Sequence, residues 1–286
     1  MLRIISLLAC ALTLAGCGMA TRLAYNQSGE LAYWWIDGYV DVNSQQGPRL
    51  REELANLLQW HRKTQLPLYA DALQKLQPLA AGNLTEAQAC AVADEVRDKL
   101  MHISTQVEPT AAWLAASLTP QQIEHLQRKY EKNSKEYSKD WSSLAPDELR
   151  KKRIKQARSR SEMLYGRLDA EQMAVLESTV DKSDFDAEAT HFERQRRQRD
   201  TLQTLRKIAT DKPSAAETQA LIRALLDRNL NSPNPAYRAL QHAQWREACA
   251  NFAKVHNSTT PAQRTKALET LKEYETDFRV LAAKKS

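Results

Sequence analysis

Apolar residues recur along this chain three and four positions apart, the period of a helix with one buried face. Runs of Val, Ile and Thr alternating with polar residues, which would signal strands, do not extend beyond a few positions. The punctuation between periodic segments is that of helix ends. A first helix is expected from Thr21 to about Val42, closed by Gly47-Pro48. A second runs from Arg49 to about Leu79, with Pro67 as an internal kink or break, and a third begins at Thr85 and is interrupted by Pro109. Later starts fall at Thr119-Pro120, Ala145-Pro146-Asp147, Asp169, Ser183 or Asp184, Ser214, Asn234-Pro235 and Thr260-Pro261. The expected fold is all-α: a multi-helix bundle or helical array of about ten helices with short turns.

Several starts share one form: Leu84-Thr85-Glu86-Ala87-Gln88, Leu118-Thr119-Pro120-Gln121-Gln122, Leu168-Asp169-Ala170-Glu171-Gln172 and Thr259-Thr260-Pro261-Ala262-Gln263. Thr or Asp caps the first free amides, Pro suits the first helical position, and the Gln three residues on reaches back in a capping box. The irregular spacing excludes a solenoid of fixed period. The form is similar to helix starts in the small periplasmic chaperones of the Spy and CpxP family, a likeness of five residues at a time that capping alone also produces.

The N-terminus changes the picture more than any internal segment. Arg3 precedes an apolar run from Ile4 to Leu14, which ends in Leu14-Ala15-Gly16-Cys17. The run is shorter than the roughly 20 residues needed to span a bilayer and has the layout of a secretory signal. Small residues leading into a cysteine resemble the lipobox of bacterial lipoproteins. That resemblance implies cleavage before Cys17, acylation of its thiol and new amine with chains such as palmitate, and a lipid anchor. By resemblance to enterobacterial lipoprotein sorting, Gly18, where Asp would mark retention, implies delivery to the periplasmic face of the outer membrane. The expected division is a signal peptide at 1–16, a lipidated N-terminus and short linker at 17–23, and one helical domain at 24–286 with a possible sub-boundary near 110–120.

Composition agrees with helix. The 286 residues include only 7 Gly and 10 Pro, and Ala, Leu, Gln, Glu, Lys and Arg dominate. With Cys10 in the signal and Cys17 acylated, Cys90 and Cys249 remain. In an oxidising compartment they are expected to form a disulfide, the alternative being two separate buried thiols.

Charge is uneven. Residues 17–120 carry 8 basic and 11 acidic side chains, and residues 121–160 carry 12 basic and 6 acidic. The densest basic run is Arg150, Lys151, Lys152 and Arg153 with Lys155, Arg158 and Arg160; a second is Arg194, Arg196, Arg197 and Arg199. Such runs are either solvated helix faces or surfaces for anionic envelope components and envelope proteins. The compartment argues against nucleic acid.

Candidate chemistry is sparse. The first helix is expected to bury a side formed by Leu31, Trp34, Trp35, Gly38 and Val42, leaving Glu30, Tyr33, Asp37 and Asp41 on another. The second has Leu50, Leu54, Leu57, His61 and Leu68 in register. Tyr33, Asp37, Asp41, His61 and Arg62 form either a paired structural cluster or a polar pocket for a small ligand or acid-base work. No nucleophile elbow, zinc-binding His pair or phosphate-cradling loop accompanies them, so no enzyme, cofactor or metal is expected. The six histidines are dispersed, and Trp113, Trp141 and Trp245 fall on apolar stripes as core residues.

Tyr25-Asn26, Trp35-Ile36-Asp37-x-Tyr39-x-Asp41 and Trp60-His61-Arg62-x-x-x-Leu66-Pro67-x-Tyr69-Ala70 resemble the signature of a proteobacterial lipoprotein family of unknown function, DUF6279. Gln65 stands where members often carry an acidic residue. The resemblance implies a helical lipoprotein and brings no activity, substrate or cofactor. The functional expectation is a tethered binding protein, a scaffold or chaperone-like helper for envelope components, with a small-ligand receptor or enzyme at Asp37, Asp41 and His61 as the alternative.

Overall fold

A computed structural model describes residues 16–284, with side chains described from residue 21 onward. The expected signal segment and the Cys17 thiol lie outside the described residues. Among these the chain is all helix and turn, as its periodicity requires. The helices are α1 (Gly16–Asn26), α2 (Ser28–Val40), α3 (Gln46–Trp60), α4 (Leu66–Ala81), α5 (Glu86–Ser117), α6 (Pro120–Tyr137), α7 (Pro146–Tyr165), α8 (Ala170–Asp181), α9 (Ala187–Asp211), α10 (Ala215–Leu230), α11 (Pro235–Asn257) and α12 (Pro261–Ala283).

Several expected boundaries move, each for a local reason. Residues 17–23 are helical rather than a linker, and Arg22 is tied to the buried Asp277 of α12 at 2.7 Å. Gly47-Pro48 lies inside the first turn of α3, because the effective cap is Asn43: its Oδ1 accepts from the Gln46 amide and its own amide donates to Gln46 Oε1. No break occurs at Pro67. A π turn, His61–Gln65, carries α3 into α4 and inserts a residue, so the buried stripe moves to Leu66 and Ala70 while Leu68 turns outward. Pro109 does not interrupt α5, which runs unbroken to Ser117 with Ala112 and Ala115 in the main core beyond it. The start expected at Ser183 or Asp184 is capped by Asp186.

The long α5 is the spine. Its C-terminal half packs on α10, where the buried Glu108 accepts a forked pair from Arg223 and a further bond from Gln219. Its N-terminal half packs on α11 through the Cys90–Cys249 disulfide, Cα atoms 5.1 Å apart, with Leu84, Ala253 and Trp245 around it. The main core joins Val40, Leu118, Ile123, Leu126, Leu202, Leu205, Ile208, Ile222 and Leu225 across the suggested sub-boundary near 110–120. The most extensive helix pair is α12 against α4, with Arg279 on Asp71 near one end and Arg264 on Asn83 at the other.

The capping boxes do more than cap. Gln46 and Gln122, each reaching back to its own cap residue, exchange reciprocal amide bonds of 3.3 and 2.7 Å. The second N–H of each side chain donates across the junction, Gln46 to the Ser117 carbonyl and Gln122 to the Asp41 carbonyl. Gln172 and Gln263 repeat the arrangement, with amide bonds of 2.6 and 2.9 Å and donations to the Ser258 and Arg167 carbonyls. In all four cases the accepting carbonyl lies two residues before the partner's cap residue. Each primary amide therefore uses both donors and both acceptor sites, the full capacity of the group.

Two predictions follow from these ties. Gln122→Glu keeps the acceptor that caps α6 but cannot donate and places charge in a buried site. It is expected to lower unfolding free energy by about 2–4 kcal/mol, whereas Gln88→Glu, at an exposed box, changes it by less than about 0.5 kcal/mol; urea unfolding of both variants measures the contrast. Reduction of Cys90–Cys249, which closes 159 residues, is expected to cost up to about 5 kcal/mol on the chain-entropy model, read as a fall in Tm with reductant.

Candidate functional site

The two basic runs sit on different helices, and α7 and α9 bring part of each to one place. A groove of about 880 Å³ opens between α7, α8 and α11, bounded at one end by the close of α6. Its floor is the side of a small core in which Leu176, Val180 and Val255 are buried. Trp141, Phe185 and Phe252 form apolar wall, and Arg153, Arg160 and Arg194 stand on its lining.

The three arginines differ from their neighbours in sequence. Arg150 is held by Asp181 and Glu177, Arg158 by Glu162, and Lys152 by the Asp140 carboxylate and carbonyl. Arg196 and Arg197 converge on the buried Glu193, and Arg196 shares Asp200 with Arg228. Burial pushes the Glu193 carboxyl upward, but bonds from Arg196, Arg197 and Ser232 outweigh it and hold the group below the usual range. These charges are satisfied internally. Lys151, Lys155 and Arg199 are exposed.

Arg153, Arg160 and Arg194 form no ion pair among the described residues. Arg153 lies over the Phe185 ring at 4.7 Å and donates to the Val180 carbonyl; Arg194 lies over Tyr137, also at 4.7 Å. Burial lowers the Arg153 pKa, with Glu247 and Asp181 acting in opposition from a distance. Arg153 is partly buried, Arg160 and Arg194 are exposed, and none of the three has a carboxylate on it, so each is a cation open to an anion. Trp141, expected in the core, instead edges the groove with the Lys152 ammonium over its ring. Phe185, in the loop before α9, was not singled out by periodicity; Phe252, which periodicity places on a core-facing stripe with Tyr237, Trp245 and Cys249, is 45% exposed although Cys249, three residues earlier, is buried.

The polar cluster expected around His61 is not assembled. His61 Nδ1 bonds the Tyr25 hydroxyl at 2.8 Å, and Arg62 reaches Asn26 and the Leu281 carbonyl. Asp37 accepts from the Val42 amide, closing the end of α2, while the left-handed Asp41 (φ 56°) offers its carbonyl to Gln122. Tyr33 is buried beneath the Arg51 guanidinium. Tyr25 and Asp37 are twelve residues apart on α1–α2, about 18 Å along the axis, so the carboxylates and the imidazole occupy opposite ends of the α2–α3 hairpin. Glu30, expected beside them, faces Arg51 at 3.5 Å.

A second tyrosine–histidine pair lies near the groove floor. Tyr165 bonds His256 Nδ1 at 2.9 Å and His256 Nε2 bonds the Gly82 carbonyl at 2.7 Å. Burial pushes the Tyr25 hydroxyl up to about 12 and drives both imidazoles below their usual value. A histidine whose folded pKa is depressed stabilises the fold above its unfolded value of about 6.5, and that contribution is lost as pH falls toward the folded value. The urea midpoint is therefore expected to drop between about pH 7.5 and about pH 5.5, with His256→Gln flattening the slope; a midpoint that rises on acidification overturns this assignment.

A model of a family of unknown function, DUF6279, matches residues 38–238, from the last turn of α2 to the first of α11. The match takes in the Gln46–Gln122 junction and most of the groove. No curated protein and no solved structure matches. Since the matched segment is well over half of the sequence, the chain belongs to the DUF6279 family.

Proposed function

We propose that this protein is an outer-membrane lipoprotein, held on the periplasmic face through Cys17, that acts by binding and performs no reaction. Its groove takes acidic, partly apolar segments of envelope proteins, as a scaffold or a chaperone-like helper. The observation that carries the reading is the convergence of Arg153, Arg160 and Arg194 on a wall of Trp141, Phe185 and Phe252. Arg153 and Arg194 lie on aromatic faces and Arg160 is exposed, so all three present cations to the groove, and its volume falls in the range of sites that enclose a ligand or a short segment. In the proposed compartment the available anions are carboxylates and phosphates of the envelope rather than nucleic acid. The lipobox, the single disulfide pair and the lack, among the described residues, of any helix long and apolar enough to cross a membrane are consistent with a tethered body.

The protein, in several-fold molar excess, is expected to suppress aggregation of a denatured acidic client at low salt, and less so as salt screens the attraction. Arg160→Glu with Arg194→Glu is expected to abolish most of that protection with little change in Tm, while Lys155→Glu, outside the groove, leaves it intact. Light scattering follows all three. Lack of suppression by the parent protein, or equal suppression by the double variant, rules out the groove as the working surface.

A further inference from the structure

The helix that carries Cys17 has two apolar sides, and the fold uses one. Gln27 separates α1 from α2 only nominally: its amide donates to the Leu23 carbonyl at 3.1 Å and its carbonyl accepts from Leu31 at 3.0 Å, so the helical bonding continues. On the inner side Arg22 meets Asp277, Tyr25 meets His61, Gly29 approaches Leu58, and Tyr33 and Val40 are buried. On the outer side Leu23 is 61%, Leu31 58%, Trp34 63% and Trp35 65% exposed. With 3.6 residues per turn these four fall within about 120° of arc, centred opposite the inner side. Leu31, Trp34 and Trp35 are the residues whose periodicity assigned them to the core, and the structure leaves them outside it.

We propose that this outer face lies in the headgroup region of the bilayer, as a second membrane contact that fixes how the anchored body is oriented. The inference rests on the reading of Cys17 as acylated. Cys17 is six residues before Leu23 in the same helix, about 9 Å along its axis, so acyl chains there hold the start of the apolar face at the membrane surface. Tryptophan suits that depth, with an apolar ring system and one N–H donor that stays hydrated. The exposed surface of four side chains is on the order of a few hundred Å², well below the roughly 800 Å² per partner of a stable dimer. A bilayer sets no such minimum, because each buried apolar group adds to the hold of the acyl chains. Both ends of the inner side are fastened to the body, so the face moves with the domain rather than as a loose arm.

The experiment uses the full mature, acylated chain in vesicles of phosphatidylethanolamine and phosphatidylglycerol with brominated acyl chains, which quench tryptophan at short range. Quenching is expected in the parent protein and is expected to be mostly lost in Trp34→Phe/Trp35→Phe, although four other tryptophans remain. In a Cys17→Ser chain, Trp34→Glu/Trp35→Glu is expected to reduce vesicle partitioning by about tenfold or more. Absence of quenching in the parent, or equal quenching in the Phe variant, overturns the inference. So does a concentration-dependent dimer that Trp34→Glu dissolves, which would assign the face to a second copy. The mass of the mature chain scores the anchor separately: an unmodified Cys17 removes the acylation reading, while quenching on added vesicles still decides the face.

Discussion

Two glutamine pairs hold this fold at its corners. Where α2 turns into α3 and α5 turns into α6, and again where α7 turns into α8 and α11 into α12, two helix beginnings meet head to head through side-chain amides that are also their own caps. The requirement is chemical. Glutamate at the same position would close the capping box, but it has no proton to give the facing carbonyl or the facing amide. At Ser214, where the helix start faces no second one in this way, Glu217 occupies the position. A fully satisfied amide pair in a buried place fixes two helix origins relative to each other, which apolar packing alone does only loosely. The main core lies against the first junction, and the second ties α8, which lines the groove, to α12.

The helical class and most helix starts were legible, because caps are local chemistry written in four or five consecutive residues. Thr85, Thr119, Asp169, Ser214, Asn234 and Thr260 all begin helices as their side chains dictate. Asn43-x-x-Gln46 has the same form and was obscured by the stronger punctuation of Gly47-Pro48. The joining of the boxes in pairs was out of reach, since it brings together residues 76 and 91 positions apart. Pro109 misled because a proline forfeits one hydrogen bond, while flanking contacts from Glu108, Ala112 and Ala115 keep the helix in line. Beyond the π turn the periodicity of α3 no longer applied, and Leu68 gave way to Ala70.

The candidate site was half legible. Both basic runs were visible as composition, but a run along a helix points in every direction, and what decides its use is which charges meet carboxylates. Arg196 and Arg197 are consumed by Glu193, one turn earlier on their own helix. Arg150 is consumed by two acids of α8. Of what remains, Arg153, Arg160 and Arg194 line the groove while Lys151, Lys155 and Arg199 do not, and no local pattern announces which is which. Amphipathic reasoning likewise could not say which of two apolar sides on the first helices would meet the body.

The last helix closes the first. Asp277 receives Arg22 across 255 positions, and the Leu281 carbonyl receives Arg62 across 219. A growing chain therefore lacks these two partners of its beginning until α12 has emerged, and loop-closure entropy weighs against forming those contacts early. A polypeptide cut short by a few turns at its tail would leave Arg22 and Arg62 without these two acceptors, while Tyr25 on His61 would still hold the opening helix at its other end.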